Sequence, residues 1–139
     1  MDLPDIFPQS IPLGTVLVVD DDAVVRRVTQ LLLSDAGYRV FEAEDGREGL
    51  DVLEEHGPVD LVVTDIVMPR LDGVAFAETL RREHPDQSVL YMSAHPAEVM
   101  VQYNAVDLTV PFLAKPYTRS QLLSKVALAI KSSRSSSRP

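Results

Sequence analysis

Four short apolar runs in this chain of 139 residues lead directly into side chains able to do chemistry. Thr15-Val16-Leu17-Val18-Val19 runs into Asp20-Asp21-Asp22, Leu61-Val62-Val63-Thr64 into Asp65, Ser88 to Met92 into Ser93, and Pro111 to Ala114 into Lys115-Pro116. Ligands of a parallel α/β sheet bind beyond the carboxyl ends of its strands. Strands placed here would therefore bring carboxylates, a hydroxyl and an ammonium to one rim. Unit charges about 4 Å apart repel by roughly 1 kcal/mol in water and several times more in a partly dry cleft, so Asp20, Asp21 and Asp65 together call for a cation. Hard oxygen ligands select Mg²⁺, with Ca²⁺ or Mn²⁺ compatible, and leave coordination positions for waters and a phosphoryl oxygen. A carboxylate beside such an ion can attack a phosphoryl group and form an aspartyl phosphate. A lysine and a hydroxyl, here Lys115 and Ser93, then stabilise the remaining oxygens. Each piece alone is commonplace: an Asp pair caps helices, a Lys-Pro makes loops, and a Ser after a strand means little. Their conjunction at four strand ends carries the argument.

Positioning these residues requires five strand–helix pairs in an α/β fold with a mainly parallel sheet. The predicted strands are Thr15–Asp20, Tyr38–Glu42, Asp60–Asp65, Ser88–Met92 and Pro111–Ala114. The first and third are continuously apolar, as central strands buried on both faces should be. The first helix opens on the N-cap Asp22, sets Val25, Val28 and Leu32 on one face, and stops at Gly37. A second, about Asp45 to His56, ends at Gly57-Pro58, and a third, about Gly73 to His84, ends before Pro85. The fourth, Ala97 to Ala105, has the weakest pattern. The fifth starts on a capping box, Thr118 to Gln121, with Leu123, Val126, Ala127 and Ile130 on one face.

Composition excludes several function classes. With 45% hydrophobic and 24% charged residues the chain is an ordinary globular sequence. A net charge of −8 repels phosphate backbones and anionic head groups, arguing against nucleic-acid and membrane-surface partners. The absence of cysteine removes disulfides, thiolate metal sites and thiol nucleophiles, and fits a cytoplasmic protein. No apolar run is long enough to span a bilayer. Residues 1–14, with Pro4, Pro8 and Pro12, and residues 132–139, mostly Ser and Arg, read as tails flanking a domain over 15–131.

The chain resembles the response-regulator receiver domains of two-component signalling over about Thr15 to Lys131. Leu17-Val18-Val19-Asp20-Asp21 is similar to the family's acidic pair, Val63 to Gly73 to its phospho-acceptor loop, and Phe112-Leu113-Ala114-Lys115-Pro116-Tyr117 to its lysine motif. The resemblance implies a flavodoxin-like (βα)5 three-layer sandwich with strand order 2-1-3-4-5, and a signalling switch that catalyses only its own phosphorylation and dephosphorylation. It makes Asp65 the acceptor of a phosphoryl group from phosphohistidine. Asp20, Asp21, Asp65 and the Val67 carbonyl become Mg²⁺ ligands, and Ser93 and Lys115 the partners of phosphoryl oxygens. Ser93 and Phe112 become the switch pair. Pro69 and Gly73 shape the acceptor loop. The implied partner is a sensor histidine kinase or histidine phosphotransfer domain, docking near Val24 to Val28. A homodimer through the face of the fourth helix, fifth strand and fifth helix is also compatible. Val110 to Pro116 further resembles receivers fused to the C-terminus of hybrid kinases.

Two rival readings are weaker. A phosphatase resembling the haloacid-dehalogenase superfamily would use Asp20 as nucleophile and Asp22 as acid, but lacks a late acidic pair and leaves Asp65 idle. A flavin-binding module needs a hydroxyl- or glycine-rich phosphate loop where this chain has three aspartates. His56 and His84 sit at helix ends and His95 in a loop, none with metal-ligand spacing.

Overall fold

The computed structural model describes residues 13–66, 73–94 and 112–136. Its elements are β1 (Thr15–Val19), α1 (Ala23–Ala36), β2 (Arg39–Ala43), α2 (Gly46–His56), β3 (Leu61–Asp65), α3 (Gly73–Glu83), β4 (Val89–Ser93), β5 (Phe112–Ala114) and α4 (Arg119–Ser136). The helix predicted fourth from the sequence lies outside the described residues, so the one predicted fifth is α4. Five parallel strands form one sheet in the order β2-β1-β3-β4-β5. The fold class and strand order are those implied by the sequence; strand ends differ by one residue, and Ser93 closes β4 instead of following it.

The strands alternate between two cores, as the period of two requires. Val16, Val18, Leu61, Val63, Leu90, Met92 and Leu113 pack with Leu33 of α1 and with Leu122, Val126 and Ile130 of α4. Leu17, Val19, Val62 and Ala43 pack on the opposite side with Leu53 of α2 and Phe76 and Leu80 of α3. The helix termini are set locally. The Asp22 carboxylate accepts from the amides of Val24 and Val25, and Asp45 accepts from Glu48. Gly37 ends α1 at φ +113°, a backbone conformation that favours glycine. The capping box at Thr118 forms as its sequence predicts: the Gln121 amide donates to Thr118 Oγ1 at 3.1 Å, and the Thr118 amide to Gln121 Oε1 at 2.9 Å.

Two expectations are corrected. The inward face of α1 carries Thr29 and Leu33, whereas Val28, grouped with Val25 and Leu32 by spacing, is 48% exposed. The hydroxyl of Thr29 is satisfied inside, which lets a polar residue take the buried position. The C-terminal helix continues to Ser136, beyond the boundary set at Lys131. Ser and Arg are only slightly poorer helix formers than Ala, so a helix already anchored by Val126 and Ile130 propagates through them. No described helix is long and apolar enough to cross a membrane.

Candidate functional site

Asp20 follows Val18 by two residues, Asp65 follows Val63 by two, and Lys115 follows Leu113 by two. Each therefore continues the alternation that faces α1 and α4, and their side chains meet there. Lys115 Nζ donates to Asp20 Oδ2 at 2.8 Å and to Asp65 Oδ2 at 2.7 Å, closing contacts across 95 and 50 residues of sequence. The Asp20 side chain is fully buried, while Lys115 and Asp65 are 15% and 14% exposed. Asp21 stands at the exposed edge. Asp20, Asp21 and Asp65 each bring a carboxylate oxygen into a group spanning 4.8 Å.

Backbone contacts fix these groups. The Asp20 amide donates to the Ala43 carbonyl, its Oδ1 accepts from the Asp22 amide at 2.9 Å, and its carbonyl accepts from Arg26 Nη1 at 2.7 Å. Arg26 also pairs with Glu42 of β2 at 3.4 Å, linking α1 to the sheet edge. The Lys115 amide donates to the Ser93 carbonyl at 2.8 Å, so the lysine and the hydroxyl residue share one backbone junction. Ser93 is 3% exposed. Phe112 is half-buried opposite Tyr91 of β4. Burial works against the Lys115 ammonium, but its hydrogen bonds to Asp20 and Asp65 and the charges of both outweigh that, raising the pKa above the ordinary lysine value.

The structure thus gathers Asp20, Asp21, Asp65 and Lys115 at one point, with Ser93 joined to Lys115 through the backbone. Val67, Pro69 and His95 lie outside the described residues. Three carboxylates open on one side fit a hard divalent cation that keeps part of its water shell. Sequence reasoning missed Arg26 and the hydrogen bond between Tyr117 and Thr29. The aromatic two places after Lys115 was its sole signal. His56 ends α2, as its position in the sequence predicts, and its imidazole also stacks on Phe41 at 4.4 Å, which no local pattern indicated.

A family model for the response regulator receiver domain matches residues 16–127. The chain belongs to that family. Phosphoryl acceptance in two-component signalling is the function that receiver domains carry. This receiver domain is 38% identical over 114 residues to sensor kinase CckA of Brucella abortus, covering 81% of the chain and 12% of the kinase. It is also 38% identical over 112 residues to response regulator MprA of Mycolicibacterium vanbaalenii, covering 80% and 48% respectively. It therefore spans half or less of these curated relatives. A receiver domain protein from Clostridium thermocellum superposes with a TM-score of 0.75 at 25% identity, covering 88% of this chain and 98% of that one. Chemotaxis protein CheY4 of Vibrio cholerae gives 0.75 at 27% identity, covering 84% and 98%.

Proposed function

We propose that Asp65 accepts the phosphoryl group, in a site where Asp20, Asp21 and Asp65 hold Mg²⁺. The observation that carries this is the placement of Lys115 Nζ within 2.8 Å of both Asp20 and Asp65, which gives the acceptor carboxylate a cationic neighbour on one side. An Asp65 carboxylate oxygen attacks phosphorus as the bond from the donor imidazole nitrogen to phosphorus breaks, its electron pair returning to that nitrogen. Lys115 moves its hydrogen bonds from carboxylate to a phosphoryl oxygen, and the Ser93 hydroxyl donates to another. A bound Mg²⁺ supplies charge neutralisation between the phosphoryl group and the carboxylates. The Val67 carbonyl is the further ligand that the family resemblance assigns, and Ser93 and Phe112 form the switch pair.

The donor is a phosphohistidine on a sensor kinase or phosphotransfer domain. Val24, Val28 and Leu31 of α1 are 72%, 48% and 56% exposed, and their spacing sets them along one flank of the helix beside the site. That flank suits the apolar surface of such a partner. The test is intact mass after incubation with acetyl phosphate and Mg²⁺. One added phosphoryl group is expected, lost with EDTA and in Asp65→Ala. Labelling that persists in Asp65→Ala and disappears in Asp20→Ala, with steady phosphate release, would instead establish a phosphatase.

A further inference from the structure

Thr29 sits in the middle of α1 at 1% exposure, on a face where an aliphatic side chain would pack without a polar group to satisfy. Its hydroxyl donates to the Val25 carbonyl at 2.8 Å and is hydrogen-bonded to the Tyr117 hydroxyl, 88 residues away. A threonine hydroxyl has one proton, and here it is given to Val25. The Tyr117 O–H is therefore the donor, and the pair forms a directed relay from Tyr117 through Thr29 to the α1 backbone. Tyr117 lies two residues beyond Lys115, and α1 also touches the site through Arg26 and the Asp20 carbonyl.

We propose that Tyr117 and Thr29 are positioning residues for phosphoryl transfer: their hydrogen bond ties the segment 115–117 to α1 and so sets Lys115 Nζ against Asp65. This rests on the reading of Asp65 as acceptor. The strand side of the segment is held by the Lys115 amide on the Ser93 carbonyl, and the far side by the Tyr117 hydroxyl. With both ends fixed, the ammonium is delivered to one place. With the second released, it samples several, and displacements near 1 Å are costly in a preorganised site. Burial raises the Tyr117 pKa, which keeps the phenol protonated and able to donate. The relay also makes α1, whose exposed flank faces a partner, mechanically continuous with the lysine.

The experiment measures Mg²⁺ affinity and the rate of acetyl-phosphate labelling at saturating Mg²⁺ for Tyr117→Phe, Thr29→Val, the double variant and Thr29→Ser. Tyr117→Phe and Thr29→Val are each expected to slow labelling about 5- to 10-fold with Mg²⁺ affinity within about 2-fold. The double variant should be no slower than either single one, and Thr29→Ser, which keeps the hydroxyl, should stay near wild type. In a Lys115→Ala background Tyr117→Phe should have no further effect. A merely structural role would lower thermal stability with labelling rates unchanged, and that result overturns the proposal. So does a Thr29→Ser variant as slow as Thr29→Val, or a full effect of Tyr117→Phe without Lys115. A wild-type chain that takes no label overturns the acceptor assignment itself, which separates the two failures.

Discussion

Replacing Lys115 with methionine removes the cation that bridges Asp20 and Asp65 while keeping most of the length of the side chain. Loss of one partner from a buried ion pair costs about 3–5 kcal/mol because a charge is left without compensation. Here Asp20 is fully buried but Asp65 is 14% exposed and Asp21 open to solvent, so the lower end applies. Coulomb's law supports that scale: at the 4.8 Å span of the carboxylate group, two unit charges repel by about 3.5 kcal/mol at an effective dielectric of about 20 and by under about 1 kcal/mol in water. A destabilisation of about 3 kcal/mol in EDTA follows, a fall in Tm of roughly 9–15 °C for a domain of this size. Magnesium should then favour the variant more than the wild type. In the wild type a bound ion would compete with the ammonium for Asp20 Oδ2 and Asp65 Oδ2; in Lys115→Met it would not. Its Kd is expected to fall roughly 3- to 30-fold, about 0.7–2 kcal/mol. Urea denaturation of both proteins in EDTA and across a Mg²⁺ titration measures both quantities. Equal stability in EDTA, or equal stabilisation by Mg²⁺ at every concentration, would refute the view that Lys115 neutralises the carboxylate cluster.

Alkaline pH should act on the same contact. A folded pKa raised above the unfolded one contributes stability that is complete below the unfolded value and is lost as pH rises through the folded value. The raised Lys115 and Tyr117 groups both have this sign. The urea midpoint of the metal-free domain should hold at neutral pH and fall above about pH 10, less steeply in Lys115→Met and in Tyr117→Phe; a slope unchanged in both variants would contradict it. Gly49→Ala sets two effects against each other. Alanine gains about 1 kcal/mol in helix propensity, but its Cβ would lie 2.9 Å from Phe76 Cζ and 3.3 Å from Val19 Cγ2, and overpacking costs about 1–3 kcal/mol. A net loss of about 1 kcal/mol with unchanged labelling is expected, and a stabilised variant would show that the Phe76 ring yields.

The positions of the strands and the residues at their ends were legible because both are written in short-range pattern: apolar runs, punctuating glycines and prolines, and charges at run ends; the order of the strands across the sheet came from the family resemblance alone. Gly37, Asp22 and the Thr118–Gln121 box announce their roles within four residues, the range over which capping works. What depends on contacts between distant segments was not legible. The α1 face was assigned from Val25, Val28 and Leu32, since hydropathy counts Thr29 as polar; its hydroxyl is satisfied by the Val25 carbonyl and by Tyr117, the second of them 88 residues away. Likewise the gathering of three acidic residues argued for a cation, but nothing local indicated that Lys115 would supply one by touching two carboxylates at once. The Ser/Arg stretch after Lys131 misled because its composition is that of linkers, whereas its conformation is inherited from the buried helix before it.

The division of the hydrophobic interior has a consequence for how such a domain can change. Val16, Val18, Val63 and Leu113 lead in register to Asp20, Asp65 and Lys115, while Leu17, Val19 and Val62 lead to Phe76 and Leu53. The sheet is thus a partition. Substitutions behind α2 and α3 alter the durability of the domain with little leverage on the carboxylates, whereas those behind α1 and α4 reach them directly. A lineage could accumulate new surfaces and new packing on the first side while the reactive layer stays intact. The carboxylates and the lysine are then carried by one layer, alternate residues of β1, β3 and β5 and the two helices that cover them, while Ser93 reaches the site from the opposite alternation of β4.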